Sequence, residues 1–343
     1  MPDRDDILVV RGLRVRFYGE DGTVLRAVDG LDYSVKRGEC CAIIGESGCG
    51  KTVSALSILR LIPYPPGRIV GGEVIFDGID LMKLPDARIK EIRGKRIGMI
   101  FQEPSEALNP VMTIGAQIGE ALLLHTDLSK REAHEKAIEL LRMLDIPNAE
   151  IRVNQYPHQF SGGMQQRAMI AMAMCCEPEI IIADEPTTAL DVTVQAQVLE
   201  QLSHLCVKSG AALIIITHNL GVVARYAQSV KIMYGGKIVE DGPTKEVFKN
   251  PRHPYTIGLL RAVPRLDALQ GDELYTIEGE PPDMRFVEEN SCAFAPRCKY
   301  AEEKCGKEAP ESVSAGGSHF YSCHNPGVIT GGAAILNGGD GNG

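Results

Sequence analysis

The run GESGCGKT, from Gly45 to Thr52, matches the phosphate-loop pattern G-x-x-x-x-G-K-[S/T] known as Walker A. Its glycines permit a tight turn with positive φ and leave room for phosphate oxygens beside the backbone N–H groups. Lys51 can place its ammonium group on the β- and γ-phosphates, and the Thr52 hydroxyl can bind Mg²⁺. The sequence therefore predicts a nucleoside triphosphate site.

The residues on either side of this loop support the prediction. The apolar run Cys40–Ile44 before it is typical of a buried strand, and a helix is predicted over Lys51–Leu61 after it. The positive end of that helix would face the phosphates. The same helix end is expected to lower the thiol pKa of Cys49, which has no catalytic role on this interpretation.

A second motif consists of two adjacent acids that follow the apolar run Ile180–Ala183. Asp184 is placed to hold Mg²⁺ through water, and Glu185 to act as general base for the water that attacks the γ-phosphate. Two acids at this position could also form a simple strand cap. The phosphate loop upstream favours the catalytic interpretation.

Size and composition limit the protein class. The chain has 343 residues, a formal net charge of −9 and 44% hydrophobic residues, which indicates one large domain with a small appendage. The negative charge argues against a nucleic-acid partner. No apolar run is long enough to span a bilayer, and the acidic start does not resemble a signal peptide. We therefore expect a cytoplasmic location, where cysteines are buried, metal-binding or catalytic rather than disulfide-bonded.

The hydrophobic pattern divides the chain into regions. Short alternating runs over residues 7–38, broken by glycines such as Gly30, predict antiparallel strands and hairpins. Helical periodicity from 103 to 166 predicts a helical insert. The apolar run Leu213–Thr217 predicts a buried parallel strand, so the core is α/β. Residues 325–343, rich in glycine and asparagine, are expected to be disordered.

A third motif lies just upstream of the two acids. This heptapeptide resembles the LSGGQ-type signature motif of the ABC ATPases; it reads Phe160-Ser161-Gly162-Gly163-Met164-Gln165-Gln166. The order of the three motifs along this chain is also that of the family. The resemblance covers about residues 7–260. The chain departs from the motif at Phe160, where leucine is usual, and at Met164, where glutamine is usual. A helix is predicted over Met164–Cys176, and the free N–H groups at its start suit a phosphate.

The resemblance implies a fold and a set of site residues. The implied fold is an α/β, ABC-type P-loop ATPase core at 7–258, with an antiparallel β subdomain and a helical subdomain at about 103–166. The implied ATP-binding residues are Phe17, Gly45, Glu46, Ser47, Gly48, Cys49, Gly50, Lys51, Thr52, Val53, Ser161, Gly162, Gly163 and Asp191. The implied catalytic residues are Glu185, His218 and Gln102, and the implied Mg²⁺ ligands are Thr52, Gln102 and Asp184.

Several of these roles belong to short loops of the family. Gln102 matches the Q-loop glutamine, Ala189-Leu190-Asp191 the D-loop, and His218 the switch histidine. Phe17 matches the aromatic residue that stacks on adenine, and the neighbouring Tyr18 is an alternative. In the family, two subunits form a head-to-tail dimer in which each signature motif closes on the ATP of the other subunit.

Two further blocks resemble the ATPases of oligopeptide/dipeptide importers. One runs from Gln102-Glu103-Pro104 to Thr113-Ile114-Gly115, and the other from His253-Pro254-Tyr255-Thr256 to Pro264. The resemblance implies a peripheral ATPase at the cytoplasmic face of the membrane that energises import of di- and oligopeptides. The implied partners are two transmembrane permeases, a second related ATPase or a second copy, and, indirectly, an extracytoplasmic peptide-binding protein. Alternatives are a soluble ABC ATPase outside transport, or an importer for nickel or oligosaccharides.

A cysteine module forms part of the C-terminal extension at 259–324. Cys292, Cys298, Cys305 and Cys323 are separated by 5, 6 and 17 residues in a segment with little apolar content. Such a segment needs an inorganic group to order it, and four thiolates suit either Zn²⁺ or an iron–sulfur cluster. The resembled importer ATPases include members with a [4Fe–4S] cluster at such a set, which favours the cluster over zinc, disulfides or no metal.

Other residues bear on the metal prediction. His319 and His324 are close enough in sequence to be alternative ligands. The remaining cysteines outside the phosphate loop lie in apolar contexts and are predicted to be small core residues: Cys40, Cys41, Cys175, Cys176 and Cys206.

Overall fold

The computed structural model describes residues 5–187, 192–263, 275–288 and 290–326. The predicted D-loop at 189–191, with Asp191, lies outside the described residues. So do Pro264 of the C-terminal block and residues 327–343 of the predicted disordered tail. Among the described residues, no helix combines the length and the apolarity that crossing a lipid bilayer requires.

The described residues alternate between strands and helices. The strands are β1 Asp6–Tyr18, β2 Val24–Lys36, β3 Cys40–Ile44, β4 Gly67–Phe76, β5 Ile79–Asp80, β6 Ile97–Ile100, β7 Ile180–Asp184, β8 Ala212–Ile216, β9 Ser229–Tyr234, β10 Lys237–Pro243, β11 Val313–Gly316 and β12 His319–Tyr321. The helices are α1 Lys51–Ile58, α2 Asp86–Ile92, α3 Pro104–Ala107, α4 Ile114–His125, α5 Lys130–Met143, α6 Ala149–Arg152, α7 Gly162–Met174, α8 Val192–Ser209, α9 Leu220–Tyr226, α10 Thr244–Lys249 and α11 Pro254–Arg261. Single 3₁₀ turns cover Pro157–Gln159, Ala295–Arg297 and Glu303–Gly306.

The chain forms two compact units. The first contains the residues up to 8, residues 35–40 and residues 76–216, and the second contains residues 9–34, residues 41–75 and the residues from 217 onwards. The phosphate loop and the cysteine module therefore belong to the same unit. The domain boundaries predicted from the sequence remain predictions.

The first unit is built on three parallel strands in the order β6-β7-β8. Ile97 of β6 pairs with Ile180 of β7, which in turn pairs with Ala212 of β8. Every residue of β7 and β8 is buried, as expected for strands that are apolar on both faces. Helices α3 to α6 occupy the predicted helical segment. The signature helix α7 begins at Gly162 rather than Met164, because Ser161 is its N-cap residue.

The second unit contains a sheet in which β3 runs parallel to β9, and β9 antiparallel to β10. The hairpin β11–β12 of the cysteine module extends this sheet, because Asp241 of β10 pairs with Phe320 of β12. Strands β1 and β2 are each 13 residues long, and the hydrogen-bonded order is β2-β1-β4. The predicted break at Gly30 is wrong, since β2 continues through this glycine with a φ of 80°.

Candidate nucleotide site and four-cysteine cavity

The phosphate loop connects β3 to α1 and depends on two of its glycines. A Cβ atom on Gly45 would lie 2.2 Å from the carbonyl oxygen of Met233, and one on Gly50 2.2 Å from that of Ala27. Gly50 is also the N-cap residue of α1, with a φ of 102° that other residues rarely adopt. The helix ends at Ile58 rather than at the predicted Leu61, because Arg60 takes a left-handed conformation with a φ of 52°.

Lys51 lies folded back onto the loop that precedes it. Its Nζ donates hydrogen bonds of 2.8 Å to the carbonyl oxygen of Gly45 and 3.0 Å to that of Glu46, and the residue is only 7% exposed. Ser47 and Thr52 are exposed, so their hydroxyl groups are open to an incoming ligand. The ammonium group can exchange these carbonyl contacts for phosphate oxygens, which is the role that the sequence predicts.

Cys49 does not have the predicted electrostatic environment. The residue is 7% exposed, and burial raises the pKa of its thiol despite the attraction of the nearby Lys51 ammonium. The expectation of a lowered pKa is therefore wrong. The partial charge of the helix end is outweighed by the cost of burying a thiolate.

Three predicted site residues lie at or just after the carboxyl ends of parallel strands in the first unit. Asp184 ends β7 and is 2% exposed, Glu185 follows it, and Gln102 follows β6 as an exposed residue. Glu185 has a φ of 48° and donates its N–H to the carbonyl oxygen of Ile216 at 2.9 Å. A positive φ is uncommon outside glycine and often marks a functional position. The carboxyl ends of adjacent parallel strands share one edge of a sheet, and side-chain oxygens such as those of Asp184 and Gln102 are of the type that Mg²⁺ prefers.

The signature motif caps the start of α7. The Ser161 hydroxyl accepts the N–H of Met164 at 3.4 Å, and both Ser161 and Gly162 are exposed. Among the described residues, nothing lies within 4 Å of a Cβ atom built on Gly162. Phe160, the departure from the usual leucine, is buried, with the Arg152 guanidinium 5.9 Å from its ring centroid. The departure therefore changes the core and leaves the exposed helix start unchanged.

The remaining predicted nucleotide contacts lie in the second unit. The Phe17 ring is half-buried, and a Cβ atom on Gly67 would lie 2.8 Å from its Cε1 atom, whereas Tyr18 is 46% exposed. His218 is exposed and precedes Asn219, whose side chain accepts the N–H of Gly221 at 3.0 Å. Both aromatic residues remain candidates for stacking on adenine, and the His218 imidazole is accessible to a ligand.

The four cysteines of the C-terminal module line one cavity. Cys292, Cys298, Cys305 and Cys323 surround a space of about 20 Å³, together with His253 and His324. All four are free thiols. Within the described residues, no group of three or more His, Cys, Asp or Glu side chains is placed to hold a metal ion. The four thiols thus share a cavity, but their arrangement does not by itself support the predicted metal site.

Burial disfavours the thiolate form of three of these cysteines. It raises the pKa of Cys292 and Cys298, and that of Cys323 to about 11. Repulsion between the would-be thiolates adds to the effect, because each of these pKa values is also raised by neighbouring cysteines of the set. Without a cation, Cys292, Cys298 and Cys323 therefore favour the neutral thiol. Soft sulfur donors are the ligand type that an iron–sulfur or zinc group prefers, and the positive charge of such a group would favour the thiolates.

The histidines and the other cysteines take different places. His319 is not a lining residue of the cavity, and its Nε2 instead lies 2.8 Å from Glu240 Oε1. His324 lines the cavity, with its Nε2 atom 2.9 Å from the carbonyl oxygen of Glu308. The predicted core cysteines Cys40, Cys41, Cys175 and Cys206 are buried, whereas Cys176 is half-buried.

The sequence matches two protein families in separate regions. Residues 28–188 match the family described as ABC transporter, and residues 239–305 match the family described as oligopeptide/dipeptide transporter, C-terminal region. The second match includes the loop before α11 and three of the four cavity cysteines. The family matches therefore cover both the phosphate loop and most of the cysteine module.

Named relatives match over most of their length. The chain is 48% identical to the dipeptide transport ATP-binding protein DppD of Bacillus subtilis, over 93% of this chain and 94% of the relative. It is 46% identical to the oligopeptide transport ATP-binding protein OppD of Salmonella typhimurium, again over 93% of this chain and 94% of the relative. The similarity is therefore not confined to the phosphate loop and its neighbouring motifs.

Solved structures resemble the ATPase part of the chain. A dimeric structure of the ATP-binding cassette MJ0796 with ADP and Pi has a TM-score of 0.62 and 28% identity, covering 69% of this chain and 98% of that one. The cbiO1 protein of Clostridium perfringens, part of the cbiONQ ABC transporter complex, has a TM-score of 0.60 and 27% identity, covering 71% of this chain and 91% of that one.

Proposed function

The chain belongs to the ABC transporter family, and on this premise we propose that it is the ATP-hydrolysing subunit of a membrane importer for di- and oligopeptides. The observation that carries the proposal is the joint presence of the Lys51 phosphate loop and the oligopeptide/dipeptide C-terminal region at 239–305. The first provides the chemistry, and the second distinguishes this branch from other ABC ATPases.

The proposed reaction gives each predicted residue a distinct task. The backbone N–H groups of the loop from Gly45 to Thr52 bind the phosphates, while Lys51 leaves its carbonyl partners for the β- and γ-phosphates. Thr52, Asp184 and Gln102 provide oxygen ligands for Mg²⁺, which supplies charge neutralisation at the phosphates. Glu185 accepts a proton from the attacking water.

The residues around this centre have supporting roles in the proposal. His218 donates a hydrogen bond towards the γ-phosphate, and Phe17 stacks on adenine, with Tyr18 as the alternative. The other predicted members of the ATP site complete the loop and the first turn of α1 around the phosphates; they are Glu46, Ser47, Gly48, Cys49 and Val53.

The signature motif acts on a second subunit in this proposal. Ser161, Gly162 and Gly163 present the exposed start of α7, whose N–H groups suit a phosphate of the partner's nucleotide. Support comes from MJ0796, the similar cassette described as dimeric with ADP and Pi. The second subunit is a related ATPase or another copy of this chain, and Asp191 belongs to the same interface. Two permeases would anchor the pair at the cytoplasmic face of the membrane.

Turnover of the assembled transporter tests the proposed function. Glu185→Gln should retain ATP binding and lower hydrolysis by about 10²-fold or more, because the water loses its base. Lys51→Ala should weaken ATP binding itself. Glu135→Gln, an exposed helix substitution in the first unit, serves as the matched control and should hydrolyse ATP normally. Near wild-type hydrolysis by Glu185→Gln would contradict the role of this carboxylate.

Transport measurements test the substrate class. ATP hydrolysis and uptake in proteoliposomes should respond to a binding protein loaded with a labelled dipeptide or a longer peptide. A response to Ni²⁺ or an oligosaccharide alone would instead identify a related importer. Hydrolysis that never depends on membrane subunits would favour a soluble ATPase.

We also propose that the four-cysteine cavity holds a [4Fe–4S] cluster, with Zn²⁺ as the alternative. The support is that all four cysteines line one cavity, since thiolates are the ligands that hold such a cluster. Its role would be structural or redox-sensing, because ATP hydrolysis needs no electrons.

Metal analysis of protein purified without oxygen tests the cluster. About four irons and a broad absorption band are expected per chain. Cys298→Ser should lose most of this iron and make the segment after Pro282 sensitive to protease, whereas Cys206→Ser should keep both properties. One equivalent of zinc in a colourless protein would overturn the cluster and retain a structural metal site.

A further inference from the structure

The side chain of Arg297 reaches from the cysteine module to the phosphate loop. Arg297 ends the 3₁₀ turn Ala295–Arg297 and directly precedes Cys298. Its Nη1 donates a 2.7 Å hydrogen bond to Oε2 of Glu46, the second residue of the loop. Only 7% of the Arg297 side chain and 23% of the Glu46 side chain are exposed. Water and salt therefore screen this ion pair much less than they screen exposed surface pairs, which contribute little to stability.

Other contacts fix the orientation of the same guanidinium group. Nε donates to the carbonyl oxygen of Glu278 at 3.0 Å, and Nη2 to that of Ile277 at 3.3 Å. Nη1 also donates to the Tyr234 hydroxyl at 3.2 Å, and the group lies 5.9 Å from the centroid of that ring. Because its three nitrogens are all engaged, Arg297 offers the Glu46 carboxylate one well-defined position.

Glu46 in turn contacts the groups that shape the loop. Its backbone N–H donates to the Tyr255 hydroxyl at 2.8 Å, and its carbonyl oxygen accepts Lys51 Nζ at 3.0 Å. The side chain, the N–H and the carbonyl of Glu46 are therefore each held by a different residue. Arg297 and Tyr255 thus hold the loop backbone at Glu46, next to the N–H groups to which the proposed function assigns the phosphates.

The segment that carries Arg297 is anchored by an aromatic residue. Phe294 lies between Cys292 and Cys298 and is 4% exposed. Its ring centroid lies 5.1 Å from that of Tyr234 and 5.5 Å from that of Tyr255. The stretch 292–298 thus carries two cavity cysteines, an aromatic anchor and the arginine that contacts the loop. Order in the cavity and order in this stretch are physically linked.

We propose that Arg297 is a positioning residue for the phosphate loop, and that through it nucleotide affinity depends on an ordered cysteine module. The inference rests on the proposed nucleotide site at Lys51. Disorder of the 292–298 stretch would release the hold on Glu46. The full chain would then bind nucleotide more weakly while its hydrolytic residues remain intact.

Binding of a fluorescent ATP analogue, mant-ATP with Mg²⁺, to the full chain tests the proposal. Arg297→Ala and Glu46→Gln should each raise Kd by about tenfold, and the double variant should be no weaker than either single one. Turnover of Arg297→Ala at saturating ATP should change by less than about twofold, because the positioning affects binding more than chemistry. Lys299→Ala is the matched control, since it removes an exposed pair with Glu278 and should leave Kd unchanged.

The link to the cysteines has its own test. Cys298→Ser should raise Kd in the parent chain but cause no further rise in the Arg297→Ala background. A parent-like Kd in folded Arg297→Ala and Glu46→Gln proteins would overturn the proposal, as would an equal loss in Lys299→Ala. Parent-like binding by Lys51→Ala would instead show that the nucleotide site itself is misplaced. If Lys51→Ala loses binding while Arg297→Ala and Glu46→Gln bind like the parent, the assignment of the nucleotide site stands and only the role of Arg297 is rejected.

Discussion

Glu240 Oε1 lies 2.8 Å from His319 Nε2, although the two residues are 79 positions apart. The Glu240 carboxylate is fully buried and also accepts the N–H groups of Arg252 at 2.7 Å and His253 at 2.9 Å. One side chain of β10 therefore joins β12 to the loop that begins α11. The C-terminal extension is held to the sheet by this carboxylate as well as by strand pairing.

Replacing Glu240 by alanine should destabilise the second unit. The N–H groups of Arg252 and His253 would lose their acceptor and the His319 ring its partner, which should cost about 3 kcal/mol or more of unfolding free energy. Glu246→Ala, an exposed change on the nearby α10, should stay within about 0.5 kcal/mol. Thermal unfolding followed by circular dichroism, with limited proteolysis of the extension, measures both. Equal melting of the two variants would show that the carboxylate is not a structural centre.

Local patterns were sufficient to predict the elements that carry the site. The strands at Cys40–Ile44 and at Ile180–Asp184 are buried along their whole length, and the phosphate loop between Gly45 and Thr52 is a contiguous motif. Short-range sequence was therefore enough to predict them. The predicted Mg²⁺ ligand Asp184 and the predicted general base Glu185 stand at the end of such a strand. These features could be predicted because the physical cause and its effect lie within a few residues of each other.

Contacts between distant residues could not be predicted in the same way. The pairs Arg297–Glu46 and His319–Glu240 depend on how the extension packs against the sheet, and no spacing in the sequence indicates them. The pKa of Cys49 was wrongly predicted for a related reason. The helix end is visible in the sequence, whereas burial of the thiol is produced by tertiary packing.

Thiol reactivity should therefore concentrate at Cys176 rather than Cys49. Cys176 is half-buried, and a hydrogen bond from Cys175 lowers its pKa, whereas burial raises the pKa of Cys49. At about pH 7.5, iodoacetamide should alkylate Cys176 at least about tenfold faster than Cys49, because the thiolate is the reactive form. Peptide mapping by mass spectrometry gives both rates. Cys175→Ser tests the hydrogen bond, and faster labelling of Cys49 would refute the assignment.

Two glycine substitutions should have opposite effects. Gly50→Ala would place a Cβ atom 2.2 Å from the Ala27 carbonyl oxygen at a φ of 102°, so it should abolish nucleotide binding and lower stability. Gly119→Ala lies in helix α4, and within the described residues a Cβ atom there meets nothing within 4 Å. It should stabilise the helix by up to about 1 kcal/mol. Thermal melts and mant-ATP titration distinguish the two, and normal binding by Gly50→Ala would contradict the steric argument.

Ser161→Arg should block formation of the ATP-bound dimer without affecting ATP binding to the same chain. Ser161 is exposed at the start of α7, where the proposed function places the partner's phosphate, and an arginine side chain would occupy that space. Size-exclusion chromatography with ATP, in a Glu185→Gln background and with the partner ATPase present if one is required, measures the dimer.

The matched control for this change is Ser161→Ala. It removes the hydroxyl that accepts the Met164 N–H, and so costs the helix about 1 kcal/mol of capping, but it leaves the space in front of α7 open. The alanine variant should therefore still dimerise, whereas the arginine variant should not, and both should bind mant-ATP with the parent's affinity. Parent-like dimerisation by Ser161→Arg would mean that the signature motif does not face the nucleotide of a second subunit.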